Sequence, residues 1–147
     1  MYIKKLKGTL QQKFHKLGIS FLNNHKSQIF LSKHTKLVDK TLINLWNTRN
    51  LKGNLCLVAV GGYGRSELFP YSDVDILILS KNKLTKKETE NVSGFITDCW
   101  DLGLKIGHSV RNINEAREEF HKDVTTATNL LENRFVKEFL PLYAPTI

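Results

Sequence analysis

Two short apolar segments joined by a glycine-rich connection constrain the fold of this chain more than any other feature. Residues 55–60 and 74–80 consist mostly of valine, leucine and isoleucine. Apolar runs of this length are typical of strands that are covered on both faces of a sheet. The connection contains Gly61, Gly62 and Pro70, which favour turns over regular structure. The sequence therefore predicts two buried strands with a sharply turned, polar connection.

Two aspartates stand at the start of the second segment. Asp73 and Asp75 are two positions apart on a strand, so their side chains point to the same face, whereas Val74 points to the core. Carboxylates this close repel each other when both are ionised. A divalent cation relieves that repulsion, and Mg²⁺ accepts carboxylate oxygens together with water and substrate phosphates. The pattern predicts a catalytic magnesium site, and a solvated acid pair at a turn exit is the alternative.

The glycine turn has the chemistry of a phosphate site. Gly61 and Gly62 have no Cβ, so the backbone can turn sharply and let a phosphate approach its N–H groups. The motif is neither a P-loop nor G-x-G-x-x-G, because Glu67 occupies the last glycine position. Arg65 either binds phosphate or pairs with Glu67, and Ser72 either caps the strand entry or contacts phosphate. We predict nucleotide binding by Gly61, Gly62, Arg65 and Ser72.

Helical periodicity precedes and follows these strands. Apolar residues recur at spacings of three and four over residues 4–24 and 29–50, which predicts two amphipathic helices. Thr85 and Glu88 form the capping-box pattern that begins a third helix, and Gly103 is its expected end. The predicted fold class is α/β (α+β), with a small mixed β-sheet flanked by helices and preceded by two N-terminal helices.

A third strand is predicted over residues 104–111 from its alternating apolar residues. His108 on this strand is either a hydrogen-bonded sheet histidine or a site residue. Arg111 at its end either contacts phosphate or a protein substrate, or has no such role. Both are kept as weaker site candidates.

The domain division follows from these elements. Residues 1–50 are expected to be a helical segment that packs on the sheet, and residues 51–147 are expected to form the core of a single domain. Asp39, within the second helix, is expected to be solvated or to cap. Asp123 is expected to begin a last helix that carries Arg134.

Composition excludes several classes of protein. The chain has 147 residues, two cysteines and a formal net charge of +8. Its lysines are scattered, which favours a solvated surface over a nucleic-acid-binding face. Cys56 and Cys99 are expected to be buried free thiols. Because the sequence shows neither a bilayer-spanning apolar run nor a secretory signal, we expect a cytoplasmic protein without a membrane partner.

The glycine–aspartate stretch closely resembles the bacterial PII uridylyltransferase/uridylyl-removing enzymes of the polymerase-β-type nucleotidyltransferase superfamily. The resemblance is carried by V-A-V-G-G-Y-G-R-S-E-L-F-P-Y-S-D-V-D-I-L-I-L at residues 58–79. It continues in C-W-D-L-G-L-K-I-G-H-S-V-R at residues 99–111 and in T-A-T-N-L-L-E at residues 126–132. Three matching blocks in the same order are far more specific than a lone Gly-Gly followed by Asp-x-Asp.

The resemblance implies Mg²⁺-dependent transfer of UMP from UTP to a tyrosine of the nitrogen-signalling protein PII. Asp73 and Asp75 would then hold the metal, and Gly61, Gly62 and Arg65 would position the triphosphate. The alternatives are an impaired fragment that only binds nucleotide and a related nucleotidyltransferase with another acceptor.

The chain departs from the family in two respects. Members are several times longer and carry an HD-type phosphohydrolase domain and two ACT domains, whereas this sequence contains no His-Asp dipeptide. We therefore expect an N-terminal piece or a truncated product without the UMP-removing activity. Lys105 occupies a position where the family usually has an acid, so the resemblance leaves the third carboxylate unassigned.

Overall fold

The computed structural model describes residues 2–51, 53–69, 72–122 and 134–137. The predicted helix between Asp123 and residue 133 lies outside this part of the chain. The described elements, in chain order, are α1 (Tyr2–Asn24), α2 (Ser27–Thr48), β1 (Leu55–Ala59), α3 (Gly61–Gly64), β2 (Val74–Ser80), α4 (Lys86–Asp101), β3 (Ile106–Asn112), α5 (Ile113–Lys122) and β4 (Arg134–Lys137).

The strands form one mixed sheet in the described part of the chain, with the order β3-β2-β1-β4. β1 runs antiparallel to both β2 and β4, and β2 runs parallel to β3. This topology confirms the predicted fold class. It also places β2, with Asp75 near its start, between two other strands.

One face of the sheet packs against α2 and α4. Leu57 and Ile78 from the two central strands are fully buried in this layer. Trp46 of α2 meets Phe95 of α4 edge-on, with ring centroids 5.4 Å apart. Apolar packing therefore holds β1 and β2 against the two helices.

Hydrogen bonds fasten the segment after the glycine turn to α2. The buried side chain of His34 donates from Nδ1 to the Leu68 carbonyl at 3.1 Å. The Leu68 amide donates to the Thr35 hydroxyl at 3.4 Å. Burial lowers the pKa of His34, and the bond to the carbonyl partly opposes that shift. The chain that leads toward Asp73 is therefore held by the second helix.

Local predictions were mostly right, and two were wrong. The capping box at Thr85 is confirmed, because its hydroxyl accepts from the Glu88 amide at 3.1 Å while the Glu88 carboxylate accepts from the Thr85 amide. Residues 134–137 are a strand and not part of a helix, because they pair with β1. The connection after β1 is also not wholly irregular, since Gly61–Gly64 forms one helical turn.

None of the helices in the described residues combines the length and the apolar character needed to cross a membrane. Cys56 and Cys99 are buried free thiols, as predicted.

Candidate active site

The glycine turn begins directly beside the second aspartate. The Val60 amide donates to the Asp75 carbonyl at 3.0 Å, which extends the β1–β2 pairing to the edge of the turn. Gly61 then adopts a φ of +60°, a left-handed conformation that favours glycine. The Gly64 amide donates back to the Val60 carbonyl at 3.0 Å, closing the helical turn. The sheet and the turn together fix where the Asp75 side chain emerges.

Two glycines leave the space that the Asp75 carboxylate occupies. A Cβ built on Gly61 would lie 3.4 Å from Oδ2 of Asp75. A Cβ built on Gly107, the cross-strand partner of Asp75 in β3, would clash with Oδ1. The carboxylate therefore rests in a cradle between the glycine turn and the neighbouring strand, and a larger residue at position 107 would displace it.

The two carboxylates differ in their surroundings. Asp73 is exposed and Asp75 is half-buried. Burial raises the pKa of Asp75 above its usual value, and the negative charge of Asp73 raises it further. Both effects oppose ionisation, and a bound cation would reverse them. The oxygen-only donors and the glycine cradle fit Mg²⁺, which would be held by Asp73 and Asp75 with phosphate and water completing its shell.

Lys105 stands beside this pair, at the position of the unassigned third acid. The Val74 amide donates to the Lys105 carbonyl at 2.7 Å, which continues the parallel register toward the start of β3. Since Asp75 is opposite Gly107, the alternation places Lys105 next to Asp73 on the same face. Among the residues that the structure describes, no group of three acidic, histidine or cysteine side chains could hold a metal ion.

The other predicted nucleotide-binding residues lie around the turn. Nε of Arg65 is 3.7 Å from a Glu67 carboxylate oxygen, and both side chains are well exposed. A Cβ on Gly62 would lie 3.7 Å from a terminal nitrogen of Arg65, so this side chain extends over the turn. Ser72 is exposed, and its amide donates to the Phe69 carbonyl at 3.1 Å. Arg65 is therefore grouped with the glycines, and Ser72 lies one residue before Asp73.

The two weaker candidates lie away from the carboxylates. His108 follows Gly107 and therefore points to the opposite face of the sheet from Asp75. Arg111 shares the face of Asp75 but lies four residues further along β3. Nε of Arg111 donates to Glu119 of α5 at 2.7 Å. The structure does not bring either residue together with Asp73 and Asp75.

The sequence analysis did not identify a partly buried polar cluster beside the turn. The Tyr63 hydroxyl donates to Asp39 of α2 at 2.6 Å. Arg134 of β4 donates to both oxygens of the same carboxylate, at 2.7 and 3.1 Å, and to the Tyr63 carbonyl at 3.1 Å. Its guanidinium also lies 5.0 Å from the centre of the Tyr63 ring. Asp39 was therefore wrongly expected to be solvated or capping.

This cluster, Asp39–Tyr63–Arg134, links three separate elements at the glycine turn. Tyr63 is almost fully buried, and burial, followed by the nearby Asp39 charge, raises its pKa strongly. The phenol is therefore a neutral hydrogen-bond donor and not a nucleophile. The signal in the sequence was a charged residue, Asp39, on the sheet-facing side of α2. Its partners, Tyr63 and Arg134, could be identified only from the structure.

Gly107→Ala is expected to displace the Asp75 carboxylate and lower nucleotidyl transfer at least about tenfold, as small displacements in an active site do. The physical reason is the clash between the added methyl group and Oδ1. Gly8→Ala in α1 is the matched control, because a Cβ added there would have open space around it and the change favours the helix. Equal activity of the two variants in a transfer assay would contradict the cradle.

The sequence profile of the nucleotidyltransferase domain family matches residues 39–134. The chain belongs to this family. The match begins at Asp39 and ends at Arg134, so the nucleotidyltransferase domain includes both charged ends of the cluster as well as the two carboxylates. It also begins inside α2, so the last part of that helix, from Asp39 to Thr48, lies within the matched domain.

Sequence alignments with similar proteins cover most of this chain. A bifunctional uridylyltransferase/uridylyl-removing enzyme from Chromobacterium violaceum is 46% identical over 87% of this chain. Enzymes of the same description from Thiobacillus denitrificans and Vibrio parahaemolyticus are each 42% identical, over 82% and 88% of the chain. These alignments confirm the resemblance seen in the sequence. They cover 15%, 14% and 15% of the respective relatives, so the chain spans about 15% of their length.

Proposed function

We propose that this domain transfers UMP from UTP to a tyrosine of the PII signalling protein, in the cytoplasm and with Mg²⁺ as cofactor. The tyrosine oxygen would form a bond to the α-phosphorus of UTP, and pyrophosphate would leave. Membership of the nucleotidyltransferase family and similarity to enzymes described as uridylyltransferases support the reaction type. The observation that carries the proposal is the glycine cradle around Asp75. A carboxylate held on a rigid strand beside an exposed second carboxylate is suited to binding a cation and a triphosphate together.

Each group around the cradle would have a distinct part in the reaction. Asp73 and Asp75 would hold Mg²⁺, which stabilises negative charge on the triphosphate when bound. Gly61 and Gly62 would let the triphosphate approach the backbone closely. Arg65 is well exposed and extends over the glycine turn, so its guanidinium would bind a phosphate and orient the triphosphate.

The proposal is tested with nucleotide and acceptor in separate steps. UTP with Mg²⁺ is expected to raise the melting temperature of the full 147-residue chain, because a ligand that binds only the folded state stabilises it. UTP labelled at the α-phosphate should then transfer label to PII. UTP without Mg²⁺ is the control. The absence of a melting shift with every nucleotide tested would contradict nucleotide binding altogether.

Lys105 favours a second candidate, a domain that binds nucleotide without turnover. Its side chain shares the face of Asp73 and Asp75, and an ammonium group there attracts phosphate but repels a second cation. This candidate predicts the same melting shift with UTP and Mg²⁺ but no labelled acceptor. The transfer assay therefore distinguishes the two.

A further inference from the structure

β3 forms one edge of the sheet in the described part of the chain, and its backbone has a defined outward side. The Val74 amide bonds to the Lys105 carbonyl, and the parallel register continues from that pair. In a parallel ladder alternate residues point their N–H and C=O groups to the same neighbour. Lys105 and Gly107 therefore point these groups to β2, and Ile106, His108 and Val110 point theirs away from it.

A groove runs along this edge between β3 and α4. Its volume is about 400 Å³. Val92 and Ile96 of α4 and Val110 of β3 supply an apolar floor, while Ser93, Thr97 and His108 provide a polar rim. The side chains of His108 and Ser109 are exposed, so solvent reaches the middle of β3. An apolar groove beside an open strand edge is the arrangement that binds an extended peptide as an added strand.

The same edge is continuous with the carboxylates through Gly107. This residue has no side chain, and the Asp75 carboxylate occupies the space above it. A residue paired with Gly107 from an added strand would share the face of Asp75, since cross-strand partners point to the same side. Its neighbours on that strand would point into the groove beside α4. The edge can thus hold a peptide and present one of its side chains to the site.

We propose that the acceptor protein docks by adding the extended segment around its modified tyrosine to the outer edge of β3, with that tyrosine level with Gly107. This inference rests on the proposed function, since it describes how that reaction receives its acceptor. Backbone groups of Ile106, His108 and Val110 bind the segment. The groove receives its alternate side chains, which favours small and apolar residues on either side of the tyrosine.

The spacing of the strands suits the proposed tyrosine acceptor. An added strand lies one strand spacing beyond β3 and two beyond β2, or about 10 Å from the backbone of Asp75. A tyrosine hydroxyl at the far end of its ring reaches across Gly107 toward the carboxylates.

Amide hydrogen exchange of the full chain provides a direct test, with purified PII protein from Chromobacterium violaceum as the probe. Added PII is expected to slow exchange at His108 and Val110. Exchange at Gly107 and Ser109 should stay slow with or without PII, since these amides already bond to β2. Binding of PII without new protection at His108 and Val110, or no binding of PII, would overturn the inference. If His108 and Val110 are already protected in the free chain and this protection falls on dilution, the edge of β3 binds a second copy of the chain. That result would also overturn the inference.

Two substitutions test the groove without altering the strand. Ser93→Trp fills the groove from the exposed side of α4 and is expected to weaken PII binding at least about tenfold, because it blocks the peptide sterically. Ser32→Trp, at another exposed helical serine, is the matched control and should leave PII affinity unchanged. Equal affinities of the two variants would overturn the groove's role.

The readouts also separate this inference from the proposed function. UTP with Mg²⁺ is measured independently by the melting shift. A melting shift without PII-dependent protection contradicts only the docking mode. Protection by PII without any nucleotide-induced shift supports the docking mode and contradicts the proposed reaction.

Discussion

Asp75→Asn is expected to reduce nucleotidyl transfer by about 10³-fold or more, since even one electrostatic contact to a transition state contributes 10²–10³-fold. In the absence of metal the same variant should melt at a higher temperature than the wild type. Burial and the charge of Asp73 both oppose ionisation of Asp75 and raise its pKa. The amide has the shape of the carboxylate without the charge, so it removes that cost.

The pH dependence of this stabilisation follows from the direction of the shift. Because the pKa of Asp75 is higher in the folded state, its favourable contribution is complete below the ordinary aspartate pKa of about 4 and is lost as the pH rises through the raised value. The metal-free wild type therefore carries the full cost at neutral pH. The melting advantage of Asp75→Asn should be largest there and should vanish in acid.

Magnesium is expected to reverse the order of the two proteins. Added Mg²⁺ with UTP stabilises the wild type by mass action and has little effect on the variant. Asp101→Asn is the matched control, because this exposed acid lies at the end of α4. It should keep wild-type transfer and the wild-type response to Mg²⁺. Retention of most activity by Asp75→Asn would contradict the assignment of the metal site.

Asp39→Ala is expected to lower the free energy of unfolding by about 3 kcal/mol, because removing one member of a partly buried charge pair leaves the other uncompensated. The change leaves Arg134 without its two carboxylate bonds and Tyr63 without an acceptor. For a domain of this size the loss corresponds to roughly 10 °C in melting temperature. Tyr63→Phe removes only the hydroxyl bond and should cost about 1 kcal/mol.

A more exposed ion pair with the same shortest distance provides the control for this prediction. Glu119 accepts from Nε of Arg111 at 2.7 Å, and its side chain is 47% exposed, against 21% for Asp39. Glu119→Ala should therefore cost less than about 1 kcal/mol. Chemical denaturation of both variants makes the comparison. Similar losses would show that the Asp39–Tyr63–Arg134 cluster contributes no more than a surface pair.

The cluster also connects stability to the site. Tyr63 lies in the glycine turn, and its carbonyl as well as its hydroxyl are held by partners from β4 and α2. The glycine turn is therefore held in place by Asp39 and Arg134, which do not contact Asp73 or Asp75. Loss of Asp39 should weaken nucleotide binding in addition to lowering the melting temperature.

Features with local causes could be predicted from the sequence. The strand at 74–80 follows from a short apolar run, and the capping box at Thr85 from residues three apart. The shared face of Asp73 and Asp75 follows from the two-residue period of a strand. These features depend on neighbours along the chain, and the structure reproduces the strand and the capping box.

Features that depend on pairing between distant segments could not be predicted from the sequence. Arg134 was assigned to a helix because only β1, far away in sequence, supplies the hydrogen-bond partners of its strand. Asp39 was expected to be solvated or capping because its hydrogen-bond partners lie 24 and 95 positions later in the chain. Gly107 was given no role from the sequence, since its contribution depends on lying opposite Asp75 in β2.

The sequence alone determined the fold class, the two central strands and the pair of acids, because periodicity and turn chemistry act over a few residues. Only the tertiary structure decided how the Asp75 carboxylate is accommodated, what holds the glycine turn, and that β3 lies at an edge of the sheet in the described part of the chain. Strand register brings together residues such as Asp75 and Gly107 whose separation along the chain carries no sign of their contact.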